Sequence, residues 1–579
     1  MSRRKIKKKR SGPRGKQRRP ERVEIRLGEL RAIIDRAQKT PLSSADRDTL
    51  MAAVETLGFI TQELEAKGVT IARLRKLLFG PSSEKTKDIF PELDDTSDTE
   101  DDGSGPASES EPADGGDDEA SDQEGDNEAE SPEDKRKGHG RNAASEYSGA
   151  DKVLVQHESL AHRDRCPKCQ RGKIYQQAEP AVLVRVRGVA PLSATVYELE
   201  RLRCNLCGEV FTANAPKGVG DAKYDATAAA MIALLKYGCG LPFNRLEKLG
   251  ANLKIPLPAA TQWDVVSAAA AAFEPVWAEL VHQAAAGEVV YIDDTKARVL
   301  SLNDEIRKEI EAGQVDRTGV FTSGVVSTIG DRKAVLFFTS RRHAGENLAK
   351  VLAARSVELP APIQMSDALS RNTTPGDFET IVANCLVHAR RNFVDVKSSF
   401  PDEVKHVVET LRAVYKHEAT TRDEEMSPDD RLRYHQEHSE PLMSELAKWL
   451  QAQFDERRVE PNSSLGGAIS YMKSHWDKLT RFLTTPGAPL DNNICERVIK
   501  KAILFRKSSL FYKTENGAHV GDVFMSLIHT AELCEANPFE YLVAIQKHAD
   551  AAGLQPDQWM PWNYTEALAE LKVGNPSAH

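Results

Sequence analysis

VVYIDDTKARVL (residues 289–300), TGVFTSGVVSTI (318–329) and KAVLFFTSR (333–341) decide how this chain is read. Each run concentrates β-branched and aromatic side chains between Gly, Asp or charged turn residues, so each reads as a strand. A helix at about 345–354 follows, then the short strand PIQMSD (362–367) and the apolar run IVANCLV (381–387). On either side the texture is helical. From Asp225 to about Ala286, breaks at 238–241 and 255–259 divide it into a small helix-turn-helix-like bundle. The charged stretch 402–485 and everything from Asn492 onward are helical again, and no internal repeat is present. Strands interleaved with helices make the centre of the chain α/β. The 579 residues as a whole leave room for roughly three to five domains.

Upstream the composition changes. The net charge of −9 conceals two opposed blocks: Glu92 to Asp134 holds 20 acidic residues and no Lys or Arg. Taking those away leaves +11, which equals the 11 Lys and Arg that residues 1–20 carry without any acid. An opposed basic arm and acidic tract is common in proteins that handle nucleic acid. The arm reads as a disordered phosphate-contacting segment or a solubility tail. The tract, rich in Ser, Gly and Pro from about 85 to 150, reads as a disordered linker, either a spacer or a mask for the arm. Between them Leu50, Leu57, Leu64, Ile71 and Leu78 recur every seven residues, with Ala53, Ile60 and Leu74 three residues after a seam position. Ser43 and Asp46 can cap this seam, and both a dimer zipper and an intramolecular amphipathic helix fit it. No run approaches the roughly 18 apolar residues of a membrane helix, and no apolar segment follows the basic N-terminus, so a cytoplasmic protein is expected.

Eight cysteines include two C-x-x-C knuckles, Cys166 to Cys169 and Cys204 to Cys207, separated by 34 residues. Two such turns complete a closed tetrahedral sulfur shell, the signature of structural zinc in a reducing compartment. Val182, Val184, Val186, Val196, Leu199 and Leu202 can supply the ribbon strands, and Arg163, Arg165, Lys168, Arg171 and Lys173 make nucleic-acid contact plausible.

Carboxylates form the second constellation. Asp293 and Asp294 are expected to end the strand VVYI, Asp367 ends IQMS, and Glu496 lies on a helix begun by Asp491, Asn492 and Asn493. Two strand-end carboxylates and one from a later helix can hold two magnesium or manganese ions for phosphodiester chemistry. Cys385 and His388 share a helix turn if that segment is helical, and read as packing. Arg390, Arg391, Lys500, Lys501, Arg506 and Lys507 are ordinary surface charges or a DNA-backbone patch. Glu496 and Lys500, four apart on one helix face, suit a salt bridge.

The wording around these residues resembles the insertion sequence 66 family of bacterial transposases. The resemblance runs through D-N-N-x-x-E-R, R-K-x-x-L-F, S-L-I-x-T-A and N-P-x-x-Y-L downstream of Leu490, D-[DE]-T at Asp293 to Thr295, and C-x-x-H-x-R-R at Cys385 to Arg391. LRKLLFGPSSEKT and the C-x-x-C pairs extend it. It implies a ribonuclease-H-like DDE catalytic core whose triad falls on Asp293, Asp367 and Glu496, with His388 near the scissile phosphate. Asp294 takes the variable acidic place. Here Asp367-Ala-Leu-Ser replaces the family's commoner Asp-Gly-Tyr. The 128 residues between Asp367 and Glu496 imply a helical insertion domain.

The expected layout is a multidomain α/β protein: a basic arm (1–22), a zipper-like helical segment (23–84), an acidic linker (85–152), a zinc ribbon (153–215) and a helical bundle (222–287). The DDE core (288–515), with its insertion at about 402–485, and a C-terminal helical domain (516–579) complete it. The implied activity is metal-dependent cleavage and strand transfer at an element's terminal inverted repeats, by a nucleoid-associated homo-oligomer aided by two small accessory proteins. The alternative is a non-catalytic DNA-binding regulator built on the ribbon and bundle; a structure-selective nuclease on the same core is a further rival.

Overall fold

The computed structural model describes scattered residues between Ile33 and Met51, residue 155, residues 159–175 and, apart from 204, 206, 208, 221, 315, 316 and 377, residues 189–574. The basic arm, the heptad positions from Ala53 onward and the acidic tract lie outside the described residues. Of the zipper-like segment, 44–51 are helical, and the Ser43 hydroxyl accepts the Asp46 N–H at 3.1 Å, as an N-cap does. The chain divides into a unit spanning 112–193 and a larger unit holding the rest. The expected ribbon, 153–215, spans that division. In the smaller unit the first knuckle turns tightly: Cys166 N–H donates to Gly172 O (2.9 Å) and Gln170 N–H to Cys166 O (2.8 Å).

In the larger unit an antiparallel ribbon, β1 (Arg201–Arg203) and β2 (Val210–Thr212), brackets the second knuckle. Cys207 is exposed there, and Cys204 is outside the described residues. Three helices follow: α1 (Ala226–Ala233), extended by a π-turn to Gly238, α2 (Phe243–Asn252) and α3 (Ala259–Ala285).

A five-stranded mixed sheet comes next: β3 (Val289–Lys296), β4 (Phe321–Ile329), β5 (Arg332–Ser340), β6 (Ile363–Ser366) and β7 (Ile381–Asn384), in the order β5-β4-β3-β6-β7. β3, β4 and β5 run antiparallel, while β3, β6 and β7 run parallel. α4 (Leu300–Ala312) joins β3 to β4 and α5 (Ala344–Leu352) follows β5. The strand VVYI does not end at the aspartates. β4 is long enough to pair with β3 through Lys296, so Asp293 sits opposite Gly324 and Asp294 opposite Ser323. β6 accompanies β3 only from Val289 to Tyr291. Beyond that point β3 has lost its parallel neighbour, and Asp367, just past the end of β6, is near enough for its charge to act on Asp293.

α6 (Leu386–Val394) leaves β7 and leads into four helices of the 402–485 stretch: α7 (Pro401–Asp423), α8 (Pro428–His438), α9 (Glu440–Asp455) and α10 (Ser464–Ser474). Their Val407, Leu411, Leu446, Leu450 and Ile469 share one buried cluster with Met365, Ala383 and Phe393. The insertion is therefore continuous with the β6–β7 side of the sheet rather than a body apart. α11 (Asn493–Ser509) then returns across β3 and β4. Gly324 lets it approach, since a Cβ there would lie 3.1 Å from Ile499 Cδ1.

The expected boundary at 515/516 separates nothing. α12 (Glu515–Leu533) lies along β5, the antiparallel edge of the sheet, and supplies the partners that a sixth strand would. Thr530 Oγ1 accepts from Val335 N–H (2.9 Å), Ser526 Oγ from Phe337 N–H (2.9 Å) and Asp522 Oδ2 from Thr339 N–H (2.6 Å). The spacing of four residues per acceptor on the helix, about 6 Å, matches two residues of strand at about 3.4 Å each. An unsatisfied sheet edge is thereby closed by side chains. α3 also packs against β4, β5 and α12, and α13 (Pro538–Lys547) against α1. Among the described residues no helix is long and apolar enough to cross a membrane.

Candidate active site

Three carboxylates converge where β3, β6 and α11 meet. Burial pushes the Asp293 carboxyl up to about 7; the N–H of Asp294, donating to Oδ1 at 2.7 Å, opposes the rise, and the charges of Asp367, Glu496 and Asp294 add to it. That repulsion places Asp367 and Glu496 within electrostatic reach of Asp293 on a largely buried surface. Asp367 is held by its own turn: Asn372 Nδ2 and the Leu369 N–H (3.3 Å) both donate to Oδ1, and Asn384 Nδ2 donates to its backbone oxygen (3.4 Å). Gln364 Nε2 in turn fixes Asn372 by donating to its carbonyl (2.6 Å). Gly345 makes room for this turn, since a Cβ would come within 2.3 Å of Thr373 O.

Glu496 sits in the first turn of α11, where a carboxylate is favoured by the helix dipole. The helix is anchored by Asn492, whose Nδ2 donates to Ile292 O (3.0 Å), one residue before Asp293. Its N–H donates to the Cys385 thiol (3.3 Å), which burial pushes up to about 12. Such a neutral thiol serves as packing. His388, in the first turn of α6, brings Nδ1 to 3.6 Å from Glu496 Oε1. The carboxylate thus meets the imidazole rather than Lys500, which had been expected to pair with it. Cys385, His388 and Glu496 offer ligand atoms within 4.8 Å of one another.

Strand alternation turns Asp294 to the opposite face. There its carboxylate, 1% exposed, pairs with His343 Nδ1 (2.8 Å) and Arg371 Nη2 (3.4 Å). Arg371 and Asn372 lie in the turn that carries Asp367, so the two neighbouring aspartates differ in office: Asp293 faces the cluster and Asp294 braces the loop bearing its partner. His343, Arg371, Asn372 and Asn384 gave no signal in the sequence, since each is a lone polar residue in a turn or at a strand end. Asn492 was visible in D-N-N only as a helix starter.

The basic candidates are dispersed. Arg390 and Arg391 are half-buried on α6 and Lys500 is half-buried on α11. Lys501 is committed to Glu532 at 3.4 Å. Arg506 ties the far end of α11 to β3, donating to Thr295 Oγ1 (3.1 Å) and the Lys296 carbonyl, and Lys507 is exposed beside it. The structure therefore brings Asp293, Asp367, Glu496 and His388 together but not the six cations.

The donors suit a hard divalent cation. The charges of Asp367 and Glu496 add to the effect of burial in raising the Asp293 carboxyl, and Glu496 Oε1 is buried without a hydrogen-bond partner among the described residues. In the first knuckle, the N–H groups of Gly172 and Arg171 and the Cys166 side chain hold the Cys169 thiol below its usual value, as suits a thiolate ligand.

The sequence model described as Transposase IS66 family matches residues 222–520. Among curated relatives, uncharacterized protein y4jD of Sinorhizobium fredii is 28% identical over 431 residues, covering 71% of this chain and 80% of its own. Uncharacterized protein y4hP of the same organism is 25% identical over 365 residues, covering 59% and 62%. No solved structure matches.

Proposed function

Because this chain belongs to the IS66 family of transposases, we propose that Asp293, Asp367 and Glu496 are its catalytic carboxylates, in a ribonuclease-H-like core that cuts and joins DNA at the inverted repeats of its element. The strand order, three antiparallel strands continued by two parallel ones, supports that core. The observation that carries the reading is the gathering of carboxylates about Asp293, whose buried carboxyl feels the charges of Asp367 and Glu496 and which a divalent metal would neutralise.

Asp293, Asp367 and Glu496 would hold magnesium or manganese ions, which when bound supply Lewis acidity to the attacking and leaving oxygens. The chain's own residues do the rest. Asn372 and the Leu369 N–H fix the carboxylate of Asp367, and Asn492 sets α11 against Ile292 so that Glu496 faces Asp293. His388, whose Nδ1 lies 3.6 Å from Glu496 Oε1, would orient that carboxylate and hold a proton beside the scissile phosphate. Arg390, Arg391, Lys500, Arg506 and Lys507 would meet the DNA backbone. A structural zinc on Cys166, Cys169, Cys204 and Cys207 belongs to the same reading, as do a homo-oligomer assembled on DNA and two accessory proteins.

The test is strand cleavage on duplex DNA ending in the inverted repeat that flanks the chain's own gene. Asp293→Asn, Asp367→Asn and Glu496→Gln should each abolish magnesium-dependent cleavage while end binding persists. Near-normal cleavage by any one variant removes that residue from the triad.

A further inference from the structure

We propose that Leu510 and Phe511 form an apolar wedge that enters the base stack of the duplex at the DNA end being processed, a proposal that rests on the DNA-joining reading above. Leu510 is 61% exposed and Phe511 43% exposed, side by side at the end of α11. Leu510 has φ 67° and ψ −41°, and the Phe511 N–H donates across it to Ser509 O at 2.8 Å. That is a γ-turn of the strained hand, in a region that glycine enters freely and a branched side chain does not. The strain persists because the flanking residues are fixed. Lys236 Nζ donates to Ser509 Oγ (2.8 Å) on one side. On the other, the Tyr512 N–H donates to Arg298 O (2.9 Å), the Leu300 N–H to Tyr512 O (2.9 Å), and the Tyr512 ring stacks on Phe505 at 5.1 Å. Gly521 keeps that seat open, since a Cβ there would lie 2.5 Å from Tyr512 Oη. A rigid turn that holds two large apolar side chains out into water, against its own backbone preference, is built for a contact.

The charge around it identifies the occupant as a nucleic acid. Lys296, Arg298, Lys507 and Lys513 are exposed about the turn, and the Arg298 guanidinium lies 6.0 Å from the centre of the Phe511 ring. Apolar side chains flanked by cations are the elements with which proteins unstack a base step while gripping its phosphates. The reach is also right. Lys296, whose carbonyl Arg506 grips, lies three residues beyond Asp293, roughly 10 Å of strand. Glu496 to Ser509 is about 20 Å of helix. At about 3.4 Å per base pair the wedge falls roughly three to six pairs from the carboxylates.

The probe is a duplex ending in the inverted repeat that flanks the chain's own gene, with 2-aminopurine substituted singly at each of the terminal positions. It is bound by the full chain in calcium, so that no strand is cut. The wild type should brighten one or two adjacent positions. Leu510→Gly, which relieves the backbone and should unfold no earlier than the wild type, should lose that signal and bind the end about ten-fold more weakly, the effect of one lost base stack. Phe511→Ala should do the same. The proposal is overturned if the wild type binds this duplex in calcium, and cuts it in a parallel magnesium reaction, without brightening any position, or if both variants keep the signal. Unchanged fluorescence with an altered oligomeric state would assign the pair to a protein contact and overturn it equally. Failure of the wild type to bind or cut the duplex at all would instead remove the DNA-joining reading, and the wedge with it.

Discussion

Replacing Thr530 by Val keeps the shape of α12 and removes the hydroxyl that accepts from the Val335 N–H and donates to the Val335 carbonyl (3.2 Å). Both backbone groups belong to a residue with no exposure, so water cannot substitute. A buried polar group left without its partner costs about 1–3 kcal/mol, so two cost about 2–4 kcal/mol, with the weaker bond counting less. At a factor of ten per 1.4 kcal/mol, amides of residues 332–340 should exchange with solvent roughly 30 to 1,000 times faster. Ser526→Ala exposes only the Phe337 N–H and should show a smaller rise. Hydrogen exchange read by mass spectrometry resolves this, with β7 peptides as an internal reference that should not change. Unaltered protection of β5 in Thr530→Val would refute the argument that α12 closes the sheet by these bonds. Asp522 adds a pH signature. Burial pushes its carboxyl up to about 7 even though Thr339 donates to it twice, whereas an unfolded aspartate titrates near ~3.9. The folded chain then keeps a proton that the unfolded chain releases. The contribution of Asp522 to stability is therefore fully present below about pH 4 and is lost as the pH rises through about 7, amounting to at most about 4 kcal/mol. Asp522→Asn should flatten the fall of the urea midpoint between pH 5 and 8.

Asp294→Asn should slow cleavage about ten-fold or more with little change in DNA affinity, because it releases Arg371 and loosens the turn that aims Asp367; Asp294→Glu should recover most of the rate in the same cleavage assay. Carefully purified protein should hold about one zinc per chain by elemental analysis, and Cys204→Ser or a chelator should unfold the segment from about 160 to 213, read by limited proteolysis. Deleting residues 2–19 should weaken cognate and random DNA alike and flatten the salt dependence. Deleting 92–134 should raise nonspecific affinity at low salt, and an unchanged affinity there would leave the tract a spacer.

The strands were legible because their β-branched runs are long and bounded. β3 was misjudged at its end because Asp293 to Lys296 carry no apolar alternation; what keeps them extended is a ladder to β4 that no local pattern reveals. α4 went unread because Val299 and Leu300 continue the apolar texture of β3, although Leu302, Ile306 and the left-handed Gly313 mark a helix. Asp367 was found from its strand and its wording, but its support was not. Asn372, Arg371 and His343 act through contacts across turns, where residue type constrains little. Ser526 and Thr530 were visible as a motif and opaque as to purpose, since their partners lie 189 and 195 residues away.

Those separations set an order of events during synthesis. The oxygen of Ile292 waits 200 residues for Asn492, and β5 waits nearly as long for α12. At about 5–20 residues per second, the ribosome needs roughly 10–40 s to deliver α11 after β3 has emerged. Throughout that interval the nascent chain carries at most two of its three carboxylates and an open strand edge. A message broken before α11 would thus yield a product without Glu496 and with β5 open, prone to stick to its own kind through that edge. Synthesis of α11 brings Glu496 to the other carboxylates, and α12, which follows it directly, closes the β5 edge.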